Sequence, residues 1–566
     1  MKQNDYNTLH YLLAMLKMYE ICDIVASPGA QNARFNCLAQ YNDFFNCISV
    51  IDERSAGYVA IGIATEKHCP VVITCTGATA SRNYMSALTE AFYRKIPIVA
   101  ITFFNPETNK YSLSPQFVDR SVSQNDIKAL SVELPICNNA QDISNCIFLI
   151  NAALTTAKEK SMPVHINCPA HNDFENGNFC NLPENIWKTE TYHTIDTSIK
   201  KSLINRSVAV YIGSHKEFSK EDALALSEFA DSWKIPVLCD QTSGYKGKNK
   251  VMISQIASML RMHEQKPDLI IDIGGICGEY SSKSLFKNTE VWRISEDKEF
   301  KARYNTPLNK LFFCSENTFF TQLKRTNENQ EKDFYAYMKT IVDNITYPDL
   351  PLCNPLVCQQ LAKYIPNNSS LHLAILNSLR SMNFFNLDKS IQTSCNVGGF
   401  GIDGPVSTIV GQSLCNPDKK YFGVIGDLAF FYDMNVLGQR DIKNNLRLLV
   451  VNNNGGFEFR VKTGAIEQNM KNDAEKLISA SNHNKGGVRG WAESCNYEYM
   501  SARTKQEFMD KIQNFCQNEC DKPIIFEVFI NVKEEQDGLE LMQMSNRDKF
   551  EESAINLYKN LKNIIK

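Results

Sequence analysis

The sequence predicts an α/β protein of three doubly wound parallel sheets, and three observations carry that expectation. Apolar runs of strand length alternate with Gly-rich turns and helix-spaced segments along the whole chain. At 566 residues the chain is too long for one core, which calls for two to four domains of about 150 residues. Two polar stretches, 183–200 and the charged run NENQEKD at 327–333, read as linkers and divide it into domains at 1–185, 200–330 and 350–566.

Bulk properties exclude several classes. A chain that is 43% hydrophobic and 22% charged is an ordinary globular protein. Its net charge of -3, with no basic block, argues against a nucleic-acid partner. The run YLLAML is too short for a signal segment, and no stretch approaches the ~20 apolar residues of a membrane span, so a cytoplasmic protein without a membrane partner is expected. The 19 cysteines are scattered without a CxxC pair and read as free thiols in a reducing compartment. A cysteine-based metal cluster is not expected.

The first segment opens with the helical run TLHYLLAMLKMY, read as amphipathic, followed by the strand ICDIVASPGAQ that stops at Pro28-Gly29. Strand, turn and helix then recur through CISVIDERSAGYVAIGIATEK, PVVITCTGATASRNYMSALTEAFYRK and IPIVAITFFN. Asp52-Glu53-Arg54-Ser55 closes a strand and opens a helix whose apolar positions include Tyr58, Ile61 and Ile63. Acids at a helix start are explained by the macrodipole alone. A second polar junction one strand later, with Thr76, Thr79 and Asn83, turns two caps into a cleft.

The middle, about 206–323, alternates VAVYIG, PVLCD, DLIIDIG and VWRIS with helical runs. It reads as a doubly wound sheet without a Gly-rich phosphate loop of its own, since GGICGEY lacks the spacing of a dinucleotide fingerprint.

The last segment holds the most informative stretch, KKYFGVI running into GDLAFFYDMNVLGQRDIKNNLRLLVVNNNGGFEF. Helical spacing of Phe430, Met434 and Leu437 lies between two strands. Asp427 follows the first strand, and Asn452, Asn453, Asn454 and Gly455 follow the second. In a parallel sheet those ends lie side by side, where open α/β sheets bind ligands. One carboxylate, one amide oxygen and a Gly carbonyl make a hard oxygen set of the kind Mg²⁺ takes when a diphosphate completes its octahedron. Which asparagine is the ligand stays open at this point. Gly455 and Gly456 admit close approach of backbone to phosphate. Further on, DAEKLISASNHNKGGVRGWAESCNYEYM reads equally as a cofactor-covering or a plain surface loop, before the strand IIFEVFI and a charged terminal helix.

These motifs resemble those of the thiamin diphosphate-dependent enzymes, whose signature is GD followed some two to three dozen residues later by NN. SPGA, DERSAGYVAIGIA, CTGATASRN and PIVAIT are similar to the pyrimidine-binding domain of that class. Among its members the 2-succinyl-5-enolpyruvyl-6-hydroxy-3-cyclohexene-1-carboxylate synthases of menaquinone biosynthesis read PGSRS, DERSAAF and TSGTA at these places, and GASGIDG, GDLSFLHDLN and NNNGGGIF where this chain has NVGGFGIDG, GDLAFFYDMN and NNNGGFEF. The resemblance implies pyrimidine-binding, central and diphosphate-binding domains, in that order. It implies thiamin diphosphate and Mg²⁺ as cofactors, with Asp427, Asn453 and the Gly455 carbonyl on the metal. Glu53 takes the place of the glutamate that shares a proton with pyrimidine N1′, and Ile402 that of the apolar wedge bending the cofactor. Thr76, Thr79, Asn83, Gly401, Asp403, Gly426, Leu428, Gly456 and Phe459 line the cofactor by the same resemblance.

The implied reaction is decarboxylation of a 2-oxoacid with transfer of the acyl anion to an acceptor. The alternatives are a simple 2-oxoacid decarboxylase and a catalytically silent paralogue with a structural or regulatory role. Because pyrimidine and diphosphate residues lie on different segments, the resemblance implies a site between subunits of a homodimer or homotetramer. The substrate pattern departs from the synthases. Gln31, Asn105, Met382 and Val397 stand where they carry cations, while Gln116 and Lys283 are retained. Arg380, Arg460 and Glu458 are substrate candidates peculiar to this chain.

Overall fold

The computed structural model describes residues 6–77, 79–109, 111, 113–119, 123–170, 181–260, 266–326, 330–462, 464–470, 477–480, 483–484 and 486–546. The expected architecture is present, with three sheets of parallel strands and helices between the strands. The first sheet holds β1 (Asp23–Ala26), β2 (Asn46–Ser49), β3 (Val71–Thr74), β4 (Ile98–Phe104), β5 (Leu130–Glu133) and β6 (Val164–Pro169), in the order β2-β1-β3-β4-β6-β5.

The middle sheet comprises β7 (Glu190–Tyr192), β8 (Val208–Ile212), β9 (Val237–Cys239), β10 (Lys250–Met252), β11 (Leu269–Ile273), β12 (Glu290–Ile294) and β13 (Lys310–Phe312), ordered β10-β9-β8-β11-β12-β13-β7. The last sheet comprises β14 (Ser370–Leu373), β15 (Gln392–Cys395), β16 (Tyr421–Gly426), β17 (Leu446–Asn452), β18 (Glu498–Ala502) and β19 (Ile524–Phe529), ordered β15-β14-β16-β17-β19-β18. By compactness the chain divides into two units, Met1–Thr194 with Glu290–Ser315, and Ile195–Thr289 with Glu316–Lys566.

Continuous apolar runs become strands here because parallel sheets are covered on both faces. Thus β17, LRLLVVN, is buried at every position, and β3 and β8 likewise. The helix Glu53–Lys67 buries Ala56, Gly57, Ala60, Ile61 and Ala64, a stripe mostly of small residues, in which Gly57, lacking a Cβ, lies against Ala87 of the helix Met85–Arg94. Of the apolar positions expected on its inner face, Tyr58 instead points outward at 46% exposure. The face is narrower than the pattern suggested because Ala and Gly pull the helix close to its neighbours.

Two further expectations are corrected. The opening helix, Thr8–Met18, is buried from Thr8 through Leu16 and has no wet face to make it amphipathic. Stretch 183–200 is more than a linker, since it contributes the edge strand β7, paired with β13, and the 3₁₀ turn Thr197–Leu203. Of the second linker, 327–329 lie outside the described residues, as do parts of the covering loop and the terminal segment from 547. Among the described residues no helix is long and apolar enough to cross a membrane.

Candidate active site

In the second unit β16 and β17 lie side by side in register, with Gly426 opposite Val451, so Asp427 and the loop after Asn452 emerge together. Strand order reverses between β14 and β16, the switch point where such sheets form a crevice. Asp427 is 2% exposed, and its Oδ2 accepts the Gly455 N–H at 2.8 Å. His483 brings Nε2 to 3.1 Å of the same oxygen and rests on the Phe431 ring, centroids 4.6 Å apart. The loop turns through Asn454 at φ +59 and Gly455 at φ +131, the latter a conformation in which a side chain would be strained. Buried Arg460 fixes it from below, donating Nη1 to the Asn453 carbonyl at 3.0 Å and Nη2 to that of Asn454 at 3.2 Å.

These contacts separate the asparagines. Asn452 accepts the Asn454 N–H on Oδ1 and donates Nδ2 to Glu527 Oε1 at 2.6 Å, while the Tyr499 hydroxyl donates to Glu527 Oε2 at 2.6 Å. Burial raises the Glu527 carboxyl above its usual range, against the lowering effect of those two donors. Asn453, 6% exposed, is left with a buried Oδ1 that has no hydrogen-bond partner. Such an oxygen costs about 1–3 kcal/mol unless something absent from the chain itself meets it. Among the described residues no trio of His, Cys, Asp or Glu gathers to hold a metal. A cation here would rely on the Asp427 carboxylate, the Asn453 amide oxygen, the Gly455 carbonyl and oxygens brought by its ligand. That donor set fits Mg²⁺ with a diphosphate.

Around this core a Cβ at Gly456 would stand 3.1 Å from the Phe459 ring and 3.6 Å from Leu428, which places these three together. Gly426 has open space beside it. At Gly401 a Cβ would meet Asp403 Oδ1 at 2.2 Å, so glycine lets the exposed Asp403 fold back. Ile402 is partly buried against two apolar clusters of the unit.

The substrate candidates behave differently from one another. Arg380 donates Nη1 to Glu458 Oε2 at 2.7 Å, with its guanidinium 4.5 Å above the Tyr280 ring. Tyr280 in turn stacks on Phe400, centroids 5.7 Å apart. Arg380 Nε and Nη2, the neighbouring pair that forks onto a carboxylate, are buried without a partner. Two non-glycine residues with positive φ flank the stack, Leu376 at +70 and Phe400 at +57, the kind of strain that collects at functional sites. Arg460 is corrected as a substrate residue, because its guanidinium is spent on loop carbonyls at 1% exposure. Met382 and Val397 are core residues, and Lys283 is exposed at the start of the short helix Lys283–Phe286.

In the first unit the residues form two pairs. Asp52 caps the helix, accepting the N–H groups of Arg54 and Ser55, so Glu53 is not needed as a cap. Glu53 is half-buried and accepts from Asn83 Nδ2 at 2.9 Å on Oε2. Burial pushes the Tyr84 phenol well above its usual range, with Cys75 and Glu53 acting in the same direction. Gln31 donates its N–H to Thr76 Oγ1 at 3.3 Å, and its buried Oε1, which lacks a partner, lies 2.2 Å from where a Gly77 Cβ would be. The remaining candidates are not gathered. Thr79 is exposed ahead of the helix Ala80–Asn83, Asn105 spends Oδ1 on the Glu107 N–H at 3.0 Å, and Gln116 is exposed at φ +64.

Sequence reasoning missed Glu527, Tyr280, Tyr84 and His483. A lone charge in IIFEVFI was a usable signal for Glu527, whereas nothing in the pattern marked the others.

Residues 6–131 match the family model of the N-terminal TPP binding domain of thiamine pyrophosphate enzymes. The chain is 28% identical to a 2-succinyl-5-enolpyruvyl-6-hydroxy-3-cyclohexene-1-carboxylate synthase of Bacteroides fragilis, covering 93% of this chain and 97% of the relative. It is 27% identical to the synthase of Bacteroides thetaiotaomicron, covering 93% and 96%, and 29% identical to that of Phocaeicola vulgatus, covering 93% and 96%. Residues 6–131 thus resemble the N-terminal domain of thiamine pyrophosphate enzymes, and most of the chain is similar to these synthases.

Proposed function

We propose that the protein is a Mg²⁺- and thiamin diphosphate-dependent carboligase that decarboxylates a 2-oxoacid and passes the acyl anion to an acceptor. The observation that carries this reading is the buried, unsatisfied Asn453 Oδ1 beside Asp427 and Gly455 at two adjacent strand ends. When bound, thiamin diphosphate supplies the carbon nucleophile that releases CO₂ from the 2-oxoacid and carries the acyl group. Asp427, Asn453 and the Gly455 carbonyl would hold the metal and through it the diphosphate. Leu428, Gly456 and Phe459, which lie together, would line the cofactor. Glu53, steadied by Asn83, holds a proton on its free carboxyl oxygen for the ring nitrogen of the pyrimidine. The open apolar surface near Glu53, with Ile51 90% exposed beside Tyr58 and Val59, favours a second copy of the chain completing the site.

For the substrate, the synthases' names indicate a multiply charged product, but this chain lacks four of the cations at the matching positions. Each lost charge-assisted contact is worth about 1.5–3 kcal/mol. The free Nε/Nη2 edge of Arg380, held by Glu458 and Tyr280, suits one carboxylate, and Gln31 and Asn105 in place of cations favour a hydroxylated or phosphorylated acceptor over a dicarboxylate. Protein loaded with Mg²⁺ and thiamin diphosphate is to be offered a panel of 2-oxoacids with and without sugar and enol acceptors, following CO₂ and product mass. An adduct whose formation needs both partners is the expected result. CO₂ release indifferent to every acceptor would make the protein a simple decarboxylase, and no CO₂ from any acid would remove the enzymatic reading.

A further inference from the structure

The second unit contains a cavity of about 450 Å³, apart from the residues described above, at the carboxyl end of β9. Cavities of roughly 300–1,000 Å³ are the usual size for small-molecule sites. Its wall carries five lysines, Lys246, Lys248, Lys250, Lys339 and Lys389, and no arginine. Lys246 and Lys248 stand on the loop between β9 and β10, which includes SGYKGKN, and Lys250 opens β10. That loop can fold tightly only with glycine at two places. Gly244 has φ +67, and a Cβ at Gly247 would lie 2.0 Å from the Tyr245 hydroxyl. It is a Gly- and Lys-rich turn after a strand that the sequence reading passed over, because it matches no spaced fingerprint.

Three of the lysines pair with acids set beyond the wall, and two do not. Lys246 meets Glu217 at 3.3 Å, Lys248 meets Asp231 at 2.7 Å and Lys339 meets Asp343 at 2.7 Å, all pairs open to solvent. Lys250 and Lys389 have no ion pair among the described residues. Two acids share the wall, and both are engaged by their own loops. Asp240 accepts from the N–H and hydroxyl of Thr242, and Asp388 from the N–H and hydroxyl of Ser390. Burial lowers the Lys250 ammonium from its usual range, against Cys239 and Asp240, which act to raise it, while Lys246 pushes the same way as burial. A partly buried ammonium that opens on a cavity without an ion pair, as Lys250 does, is costly unless an anion joins it.

We infer that this cavity binds a small phosphorylated molecule, whose phosphate oxygens meet Lys250, Lys246 and Lys389. Phosphate is preferred to carboxylate because its charge of about −1.5 to −2, spread over three oxygens, can answer several compact ammonium groups at once. The site is independent of the proposed reaction, and its occupant would act as an effector or second ligand rather than at Asp427.

Calorimetry and thermal melting on the full chain test this, with fructose 1,6-bisphosphate, inorganic phosphate and citrate as probes at low and high salt. Fructose 1,6-bisphosphate should bind and raise the melting temperature, more weakly at high salt. Lys250→Met, which keeps the buried stem, and Lys389→Ala, at an exposed position, should each weaken binding at least tenfold. Asp427→Ala should leave it unchanged, which separates this cavity from the diphosphate site. Inorganic phosphate protecting as well as the bisphosphate would identify free phosphate as the occupant. Failure of both phosphates to bind, citrate binding more tightly than either, or full affinity in the folded Lys389→Ala protein would overturn the inference.

Discussion

The sheet of β1–β6 and the sheet of β14–β19 have the same strand order, second-first-third-fourth-sixth-fifth, yet present their loop ends in opposite ways. In the later sheet the ends after the third and fourth strands are buried and cross-braced. Asp427 holds Gly455, Arg460 holds two carbonyls, and Glu527 holds Asn452. In the earlier sheet the end after the second strand carries Glu53 half in solvent, one hydrogen bond from Asn83, next to Ile51 at 90% exposure. One topology thus yields a buried, cross-braced pair of loop ends in one unit and an open acid beside an exposed Ile51 in the other. Holding a metal and diphosphate needs fixed oxygens, which a single unit can supply. Proton exchange with a ring needs a carboxylate that the ring and its surroundings cover only on binding.

The largest test of this contrast is at the open end. Glu53→Gln should lower turnover by about 10²–10⁴ while leaving the apo melting temperature within the small range of surface substitutions. Undiminished turnover in steady-state assays would leave Glu53 without its assigned task. At the buried end, neighbouring asparagines should give opposite results. Asn452→Ala strips Glu527 of a donor and should destabilise the apo protein by about 1–3 kcal/mol. Asn453→Ala removes an oxygen that has no partner and should leave apo stability nearly unchanged, while weakening Mg²⁺-dependent cofactor binding in calorimetry. Equal loss of stability in both variants would mean that Asn453 is an ordinary core amide.

Much of this contrast was legible beforehand, and the reasons differ between residues. Asp427, Gly455 and the strand pair that aligns them follow from local pattern, since two apolar runs and their polar ends fix which residues can converge. The choice among Asn452, Asn453 and Asn454 was not legible, because it depends on Glu527 and Tyr499, which approach from strands far along the chain. Arg460 looked like a substrate residue because a lone arginine beside a glycine loop gives no sign of whether its fork faces a ligand or the loop's own carbonyls. Arg380 and Glu458 could be suspected singly, but their pairing over Tyr280 joins three distant segments. The helix from Glu53 was read correctly as a strand-end helix, yet its small-residue stripe hid how far Tyr58 is turned outward.

The smallest expected effect concerns how the later sheet's surroundings tolerate buried charge. Glu535, 2% exposed, accepts the Asn354 N–H at 2.7 Å and its Nδ2 at 3.0 Å, which joins the helix Val532–Met544 to the start of the helix Asn354–Tyr364. Burial pushes its carboxyl up to about 7 from an ordinary 4.5, although the Asn354 donors act in the other direction. Between those two values the folded chain keeps a proton that the unfolded chain has lost, so this group's contribution is full below about 4.5, declines as pH rises and is flat above about 7. Glu535→Gln keeps an oxygen for the backbone N–H and can offer its amide to Asn354 Oδ1, which has no partner in the native pairing. The variant should therefore match the parent near pH 5 and exceed it near pH 8 by on the order of 1 kcal/mol in chemical denaturation. A parent and variant that differ equally at both pH values would show that the carboxylate is stabilised in place, and that the buried end tolerates charge as readily as the open one.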